Sequence, residues 1–145
     1  MISYRIGTED IDWQQIAGLY RQVGLVGGLG ERGDLEAIRK AFQNSYRVVT
    51  AWDDVKLVGA ARMLSDGICY AMVFDVGVLP DYHRRGIGTG LIKSLMTGCE
   101  NMSVHLTSRF GIEDLYRKLG FRKHGNAFTR YPAHRFPECE AYLVD

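Results

Sequence analysis

The run Tyr70-Ala-Met-Val-Phe-Asp-Val-Gly-Val-Leu79 constrains the fold more than any other part of the chain. It is apolar on both faces, as a strand is when layers cover it above and below, and such strands belong to the middle of an α/β sheet. Its one carboxylate is Asp75. Pro80-Asp81 closes the strand. After a basic, glycine-rich turn, Ile87, Leu91, Ile92, Leu95 and Met96 mark the buried stripe of a helix.

The flanking sequence supplies the covering layers. Ile2 to Ile6 reads as a short strand, and Asp12 with Gln15 forms a capping box ahead of a helix carrying Ile16, Leu19, Tyr20 and Val23 on one face. Gly24 to Gly33 holds five glycines and reads as loop, after which Asp34 caps a second helix with Leu35, Ile38, Ala41 and Phe42 on its buried side. Strands are expected from Tyr46 to Trp52 and from Lys56 to Leu64 about the Asp53-Asp54 turn, and Asp66-Gly67 marks another turn. Met102, Val104 and Leu106 alternate as a strand. A fourth helix carries Ile112, Leu115, Tyr116 and Leu119, stopped by Gly120 with Phe121 packing back. Glu140 to Val144 reads as a last strand. The expected fold is therefore mixed α/β (α+β), a central mixed sheet of about six to seven strands with about four helices on both faces. One domain over residues 1–145 is expected.

With 145 residues, 46% of them hydrophobic, the chain is long enough for its own core, and a formal net charge of +1 supplies no broad basic field. No nucleic acid and no membrane is expected as a partner. Cys69, Cys99 and Cys139 cannot all pair and show no C-x-x-C spacing, which fits a reducing compartment. The start lacks a secretory signal and no apolar run approaches the ~18 residues that span a bilayer, so a cytoplasmic location is expected. Gly28-Leu-Gly30-Glu-Arg-Gly33 satisfies the dinucleotide pattern G-x-G-x-x-G but follows a helix instead of a strand, which argues against a nicotinamide cofactor. The histidines and cysteines lack H-E-x-x-H or zinc spacing, so no metal is expected.

The chemistry concentrates where the central strand runs through the basic turn into the helix, residues 74–91. Backbone N–H groups at a helix N-terminus are unpaired, and glycines remove side chains that would keep a phosphate oxygen away. Arg84 and Arg85 add positive charge. An ordinary strand-to-helix connection with solvated arginines would have the same composition.

This segment also resembles the GNAT superfamily of acyl-CoA-dependent N-acetyltransferases, whose hallmark turn is Gln/Arg-x-x-Gly-x-Gly/Ala; here it is His83-Arg84-Arg85-Gly86-Ile87-Gly88. Lys56-Leu-Val-Gly-Ala-Ala-Arg62 resembles the family's third strand, and Asp114-Leu-Tyr-Arg-Lys-Leu-Gly-Phe121 its late helix and ending. The block from Ala60 to Gly67, followed by Phe74-Asp-Val, further resembles the arylalkylamine (serotonin-type) branch. The resemblance implies acetyl-CoA as co-substrate. The backbone of Val76, Gly77 and Val78 would carry the pantetheine arm like an added strand, while His83, Arg84, Arg85, Gly86, Ile87, Gly88 and Thr89 hold the pyrophosphate. The sequence departs from the family pattern at His83, where Gln or Arg is usual, at Arg84, where Gly is frequent, and at Arg109, near a frequent cofactor-contacting Asn.

Acetyl transfer to an amine needs stabilisation of an oxyanion, a proton for the departing thiolate and a neutral amine. The resemblance assigns the proton to Tyr116, which by spacing alone reads as a packing residue. The oxyanion falls to a backbone N–H of the strand apolar on both faces, that of Val76. Asp75 is the candidate base because desolvation in an apolar strand raises a carboxyl pKa, although a structural acid satisfied by an Arg or a backbone amide fits the same position. His105 and a water chain are the other routes for that proton. The expected reaction is direct acetylation of a primary amine on a small molecule. Protein N-termini or lysines are the alternative acceptor, an inactive CoA-binding module is the non-enzyme alternative, and a homodimer is compatible with the resemblance.

Overall fold

Five strands form one sheet in sequence order, β1 (Ile2–Ile6), β2 (Arg47–Asp53), β3 (Lys56–Ser65), β4 (Tyr70–Val78) and β5 (Ser103–Leu106). The joins from β1 to β4 are antiparallel and only β4 to β5 is parallel. The structure is a computed structural model describing residues 1–145, which separate into two compact units, Met1–Arg109 and Phe110–Asp145.

The first unit contains the whole sheet. Asp12 caps α1 (Trp13–Val23) by accepting from the Gln14 amide at 3.0 Å. Gln15 does not close a reciprocal box on the backbone; its Oε1 accepts from the Leu57 amide at 2.8 Å, which ties α1 to the start of β3. The glycine-rich stretch expected as pure loop contains one helical turn, α2 (Leu29–Arg32), because Gly28 and Gly33 bracket it in left-handed conformations that start and stop a helix. Then follow α3 (Leu35–Gln43), capped by Asp34, and α4 (Ile87–Leu95) between β4 and β5.

Two glycines show how the layers stack. A Cβ on Gly59 would meet Ile87 and Leu91 of α4, while one on Gly77 would meet Val23 and Tyr20 of α1. Gly59 pairs with Val78, and side chains alternate along a strand, so Gly77 faces the opposite side of the sheet. Helices α1 and α4 therefore cover opposite faces. Between them lie Val48, Val49, Ala51, Val58, Ala60, Ala61 and Met63, all 2% exposed or less. Full burial of side chains of this kind contributes about 1.5–3 kcal/mol each for the larger aliphatics.

The second unit holds α5 (Glu113–Lys118) and α6 (Phe136–Cys139). Gly120 follows α5 at φ 91, the Phe121 amide donates back to the Tyr116 carbonyl at 3.0 Å, and the two rings meet edge-on with centroids 6.1 Å apart. The strand expected from Glu140 to Val144 does not form. Pro137 sits in the first turn of α6, where its missing N–H costs nothing, Arg135 pairs with Glu138 at 3.0 Å, and Glu140–Tyr142 continues as a 3₁₀ turn. The sheet thus has five strands instead of six to seven. No helix is long and apolar enough to cross a membrane.

Candidate functional site

The parallel pairing of β4 with β5 runs from Tyr70–Ser103 to Val73–Leu106 and stops there. Residues 74–78 keep β3 on one side and have no strand on the other. A break in register decides what that open side presents. Arg62 pairs with Phe74 and Ala60 with Gly77, so Ala61 alone faces Asp75 and Val76, which makes a β-bulge in β4. Asp75 takes φ 59 to make it.

Beyond the bulge the orientation follows from the ladder. The Leu79 amide donates to the Val58 carbonyl at 2.9 Å, so Val58 and Leu79 are a hydrogen-bonded pair and Gly59 and Val78 are not. The peptide groups of Val78 consequently point to the open side and those of Gly77 point inward to Ala60. An amide-bearing chain lying along this edge would meet unpaired donors and acceptors, as in strand addition. His83 already uses one of them: its Nε2 lies 2.9 Å from the Val78 carbonyl. Gly77 serves the other side, since its missing side chain lets α1 approach.

Residues 83–89 carry the turn into α4. Arg84 at φ 64 and Gly86 at φ 75 fold it back on itself, and a Cβ on Gly86 would meet nothing within 4 Å, so the space before the helix is open. Gly86 gives α4 no side-chain cap, and the first helical bond is from the Gly90 amide to the Gly86 carbonyl at 3.0 Å. The amides of Ile87, Gly88 and Thr89 are therefore left without intrahelical partners, which suits an anion. Ile87 itself turns its side chain into the core at 2% exposure. The Arg85 guanidinium stacks on the Tyr82 ring 4.7 Å from its centroid, and Lys56 lies 5.4 Å from the same ring. The Tyr82 hydroxyl donates to Asp53 at 2.6 Å, and that carboxylate holds the phenol above its ordinary pKa. Arg85 is thus anchored at the turn through an aromatic side chain that the motif does not include.

The remaining expected residues fall as follows. Both carboxylate oxygens of Asp75 are engaged: Oδ2 with Arg62 Nε at 2.7 Å, and Oδ1 with the Val26 amide at 2.9 Å. The Asp75 carbonyl accepts from the Tyr20 hydroxyl at 2.7 Å. Burial, and after it the Asp75 carboxylate, raises the Tyr20 pKa well above that of a free phenol, so this hydroxyl remains a donor. Arg109 donates through Nη2 to the Val23 carbonyl at 2.7 Å, where it satisfies the end of α1. Tyr116 is buried on α5 in the second unit. Tyr20, Arg62 and Tyr82 carry this geometry without being singled out by sequence pattern. The available signal was a lone Arg in apolar β3 matched by a lone Asp in apolar β4.

A family model described as "Acetyltransferase (GNAT) domain" matches residues 26–131. The chain belongs to the GNAT acetyltransferase family. It is 28% identical over 135 residues to GCN5-related N-acetyltransferase 2, chloroplastic, of Arabidopsis thaliana, covering 77% of this chain and 50% of that protein. It is also 28% identical over 126 residues to histone acetyltransferase TAP1 of Glycine max, covering 77% of this chain and 52% of the relative. The chain thus spans about half the length of these two curated relatives. Among solved structures, the GNAT family acetyltransferase SP0256 of Streptococcus pneumoniae TIGR4 superposes with a TM-score of 0.72 at 26% identity, covering 91% of this chain and 100% of that one. This GNAT domain gathers no group of three or more His, Cys, Asp or Glu side chains able to hold a metal ion.

Proposed function

We propose that the chain is an acetyl-CoA-dependent N-acetyltransferase whose residues 1–145 work as one domain and whose acceptor is a primary amine, in the first place that of a small molecule. The observation that carries this reading is the continuous path from the open side of β4, residues 74–78, to the uncapped N-terminus of α4. The edge groups of Val76 and the Val78 N–H suit the amides of a pantetheine arm, with the Val78 carbonyl already held by His83. The free amides of residues 87–89, with Arg84 and Arg85, suit a pyrophosphate. Family membership supports acetyl-CoA as the molecule that has both parts, and when bound it supplies the activated acyl group.

The work of this chain's own residues follows from what the reaction needs. As an amine nitrogen forms its bond to the acyl carbon and the carbon–sulfur bond breaks, negative charge passes through the acyl oxygen, and the Val76 N–H is assigned to donate to that oxygen. Resemblance of residues 114–121 to the family's late helix and ending supports Tyr116 as the acid that gives its proton to the departing thiolate sulfur. Because Arg62 and Val26 occupy the carboxylate of Asp75, removal of the amine proton is assigned to water, and Asp75 to holding the bulge. The name of TAP1 supports a protein lysine as the second acceptor class, and residues 60–67 and 74–76, which resemble the arylalkylamine branch, support the first. Three free cysteines support a reducing compartment, in the first place the cytoplasm, while one relative is named as chloroplastic.

Thermal unfolding with and without acetyl-CoA, CoA and NADH tests the cofactor. A ligand at about 100 times its Kd adds roughly 2.7 kcal/mol, so both CoA species should raise the midpoint and NADH should not. The acceptor is then read by competing tryptamine-like amines and polyamines against a lysine-containing peptide. Turnover confined to the peptide would overturn the small-molecule assignment.

A further inference from the structure

Asp75 C=O and Val76 N–H are the two ends of one planar trans peptide and point in opposite directions. Whatever fixes the carbonyl therefore aims the amide. Here the carbonyl is fixed from outside the strand, by the hydroxyl of Tyr20 at 2.7 Å, and Tyr20 is fully buried in α1. The side chain of the same residue is held from two further directions, by Arg62 of β3 and by the Val26 amide in the connection between α1 and α2. Arg62 is itself immobilised. Its guanidinium lies 5.8 Å and 5.6 Å from the ring centroids of Phe42 and Phe74, and its Nη1 reaches Ser45 Oγ at 3.4 Å, which donates to the Ala41 carbonyl at the end of α3.

From this geometry we infer that Tyr20 and Arg62 are positioning residues for acetyl transfer: together they lock the peptide between Asp75 and Val76 so that the Val76 N–H points at the acyl oxygen. A buried carboxylate asks for a partner in any fold, but it does not ask for a phenol on its own backbone carbonyl. Nor does a bulge need anchors in three separate elements merely to exist. The left-handed φ of 59 at a residue with a Cβ is a conformation that surroundings must enforce, and such enforced conformations hold functional peptides at fixed angles. The connection between α1 and α2 is tied to the same point, so a shift of the segment around Val26 is transmitted to the donor. The inference rests on the assignment of Val76 as oxyanion donor under the proposed function.

The test is built on the acyl carbonyl itself. Difference infrared spectroscopy of acetyl-CoA labelled with ¹³C at the carbonyl, bound to the protein, reports the hydrogen bond as a downshifted band. In wild type the band should lie below that of free acetyl-CoA, and in Tyr20→Phe it should return most of the way to the free position. The same variant should lose about tenfold or more in kcat, a misaligned catalytic donor being able to cost up to about 10²-fold, while the Kd for CoA, which has no acyl carbonyl, changes less than about threefold. If the wild-type band is not shifted, the Val76 assignment falls. If the wild-type band is shifted and Tyr20→Phe leaves both band and kcat unchanged, the positioning role falls and the Val76 assignment stands. Asp75→Asn keeps the size of the side chain and removes one of its two acceptors, so it is read in the same way should Tyr20→Phe fail to fold. Its pH–rate profile should keep the wild-type position, and loss of the acidic limb would overturn the positioning role in favour of a base.

Discussion

Asp75 and Arg84 lie at the two ends of the stretch between bulge and helix turn, and both carry a Cβ into the left-handed region, at φ 59 and φ 64. They are supported in opposite ways. Asp75 is clamped by Tyr20, Arg62 and the Val26 amide, whereas the Arg84 side chain is exposed and makes no hydrogen bond or ion pair. An unusual backbone angle braced from several elements fixes where one N–H points. The same angle left unbraced lets a turn adjust to an anion that arrives with its own shape. The two ends of the site thus differ in the task each angle performs.

The sharpest way to break that comparison is to remove the brace. Arg62→Met leaves the Asp75 carboxylate, about nine-tenths buried, with the Val26 amide as its remaining donor. Breaking one side of such a pair costs about 3–5 kcal/mol, to be read by urea unfolding. Asp75→Gly removes the steric objection to the angle but strands Arg62, and a net loss of about 2–3 kcal/mol is expected. Arg84→Gly removes the same steric objection and strands nothing. Relief of roughly 1 kcal/mol is offset by the added freedom of the unfolded chain, so stability should stay within about 0.5 kcal/mol of wild type. Equal losses in the two glycine variants would refute the distinction.

A smaller effect comes from a carboxylate braced locally. Asp66 accepts from the amides of Ile68, Cys69 and Tyr70 at 2.8, 2.8 and 3.2 Å, and these bonds hold its carboxyl below the ordinary 3.8. With the folded value depressed, its contribution is present above about pH 4 and is lost as pH falls through the folded value. Acid titration of stability in Asp66→Asn should therefore be shallower than in wild type below pH ~4.

The apolar strand β4, the strand pair about Asp53-Asp54 and the helix stripe after Gly86 were legible because their apolar spacing and turn residues agree with each other. The turn from His83 to Gly88 was legible as a motif. What escaped depends on contacts remote in sequence. Nothing local distinguishes Tyr20 from the other apolar-face residues of α1, and its partner lies 55 residues away. Gln15 was expected to cap its own helix and instead bonds the Leu57 amide, because a side chain with two polar ends takes the partner that tertiary packing offers. The end, Glu140 to Val144, has the apolar and β-branched composition of a strand, but a strand also needs a neighbour, and Pro137 commits the preceding residues to a helical turn.

The opening between β4 and β5 also has a consequence for amide hydrogen exchange. Val78 ends β4, a strand with neighbours on both sides, yet its N–H faces the side where β5 has stopped, while the N–H of the adjacent Gly77 is bonded to Ala60. Protection should therefore alternate between neighbouring residues at the end of β4, with Val78 exchanging like a loop amide until a ligand lies along the edge.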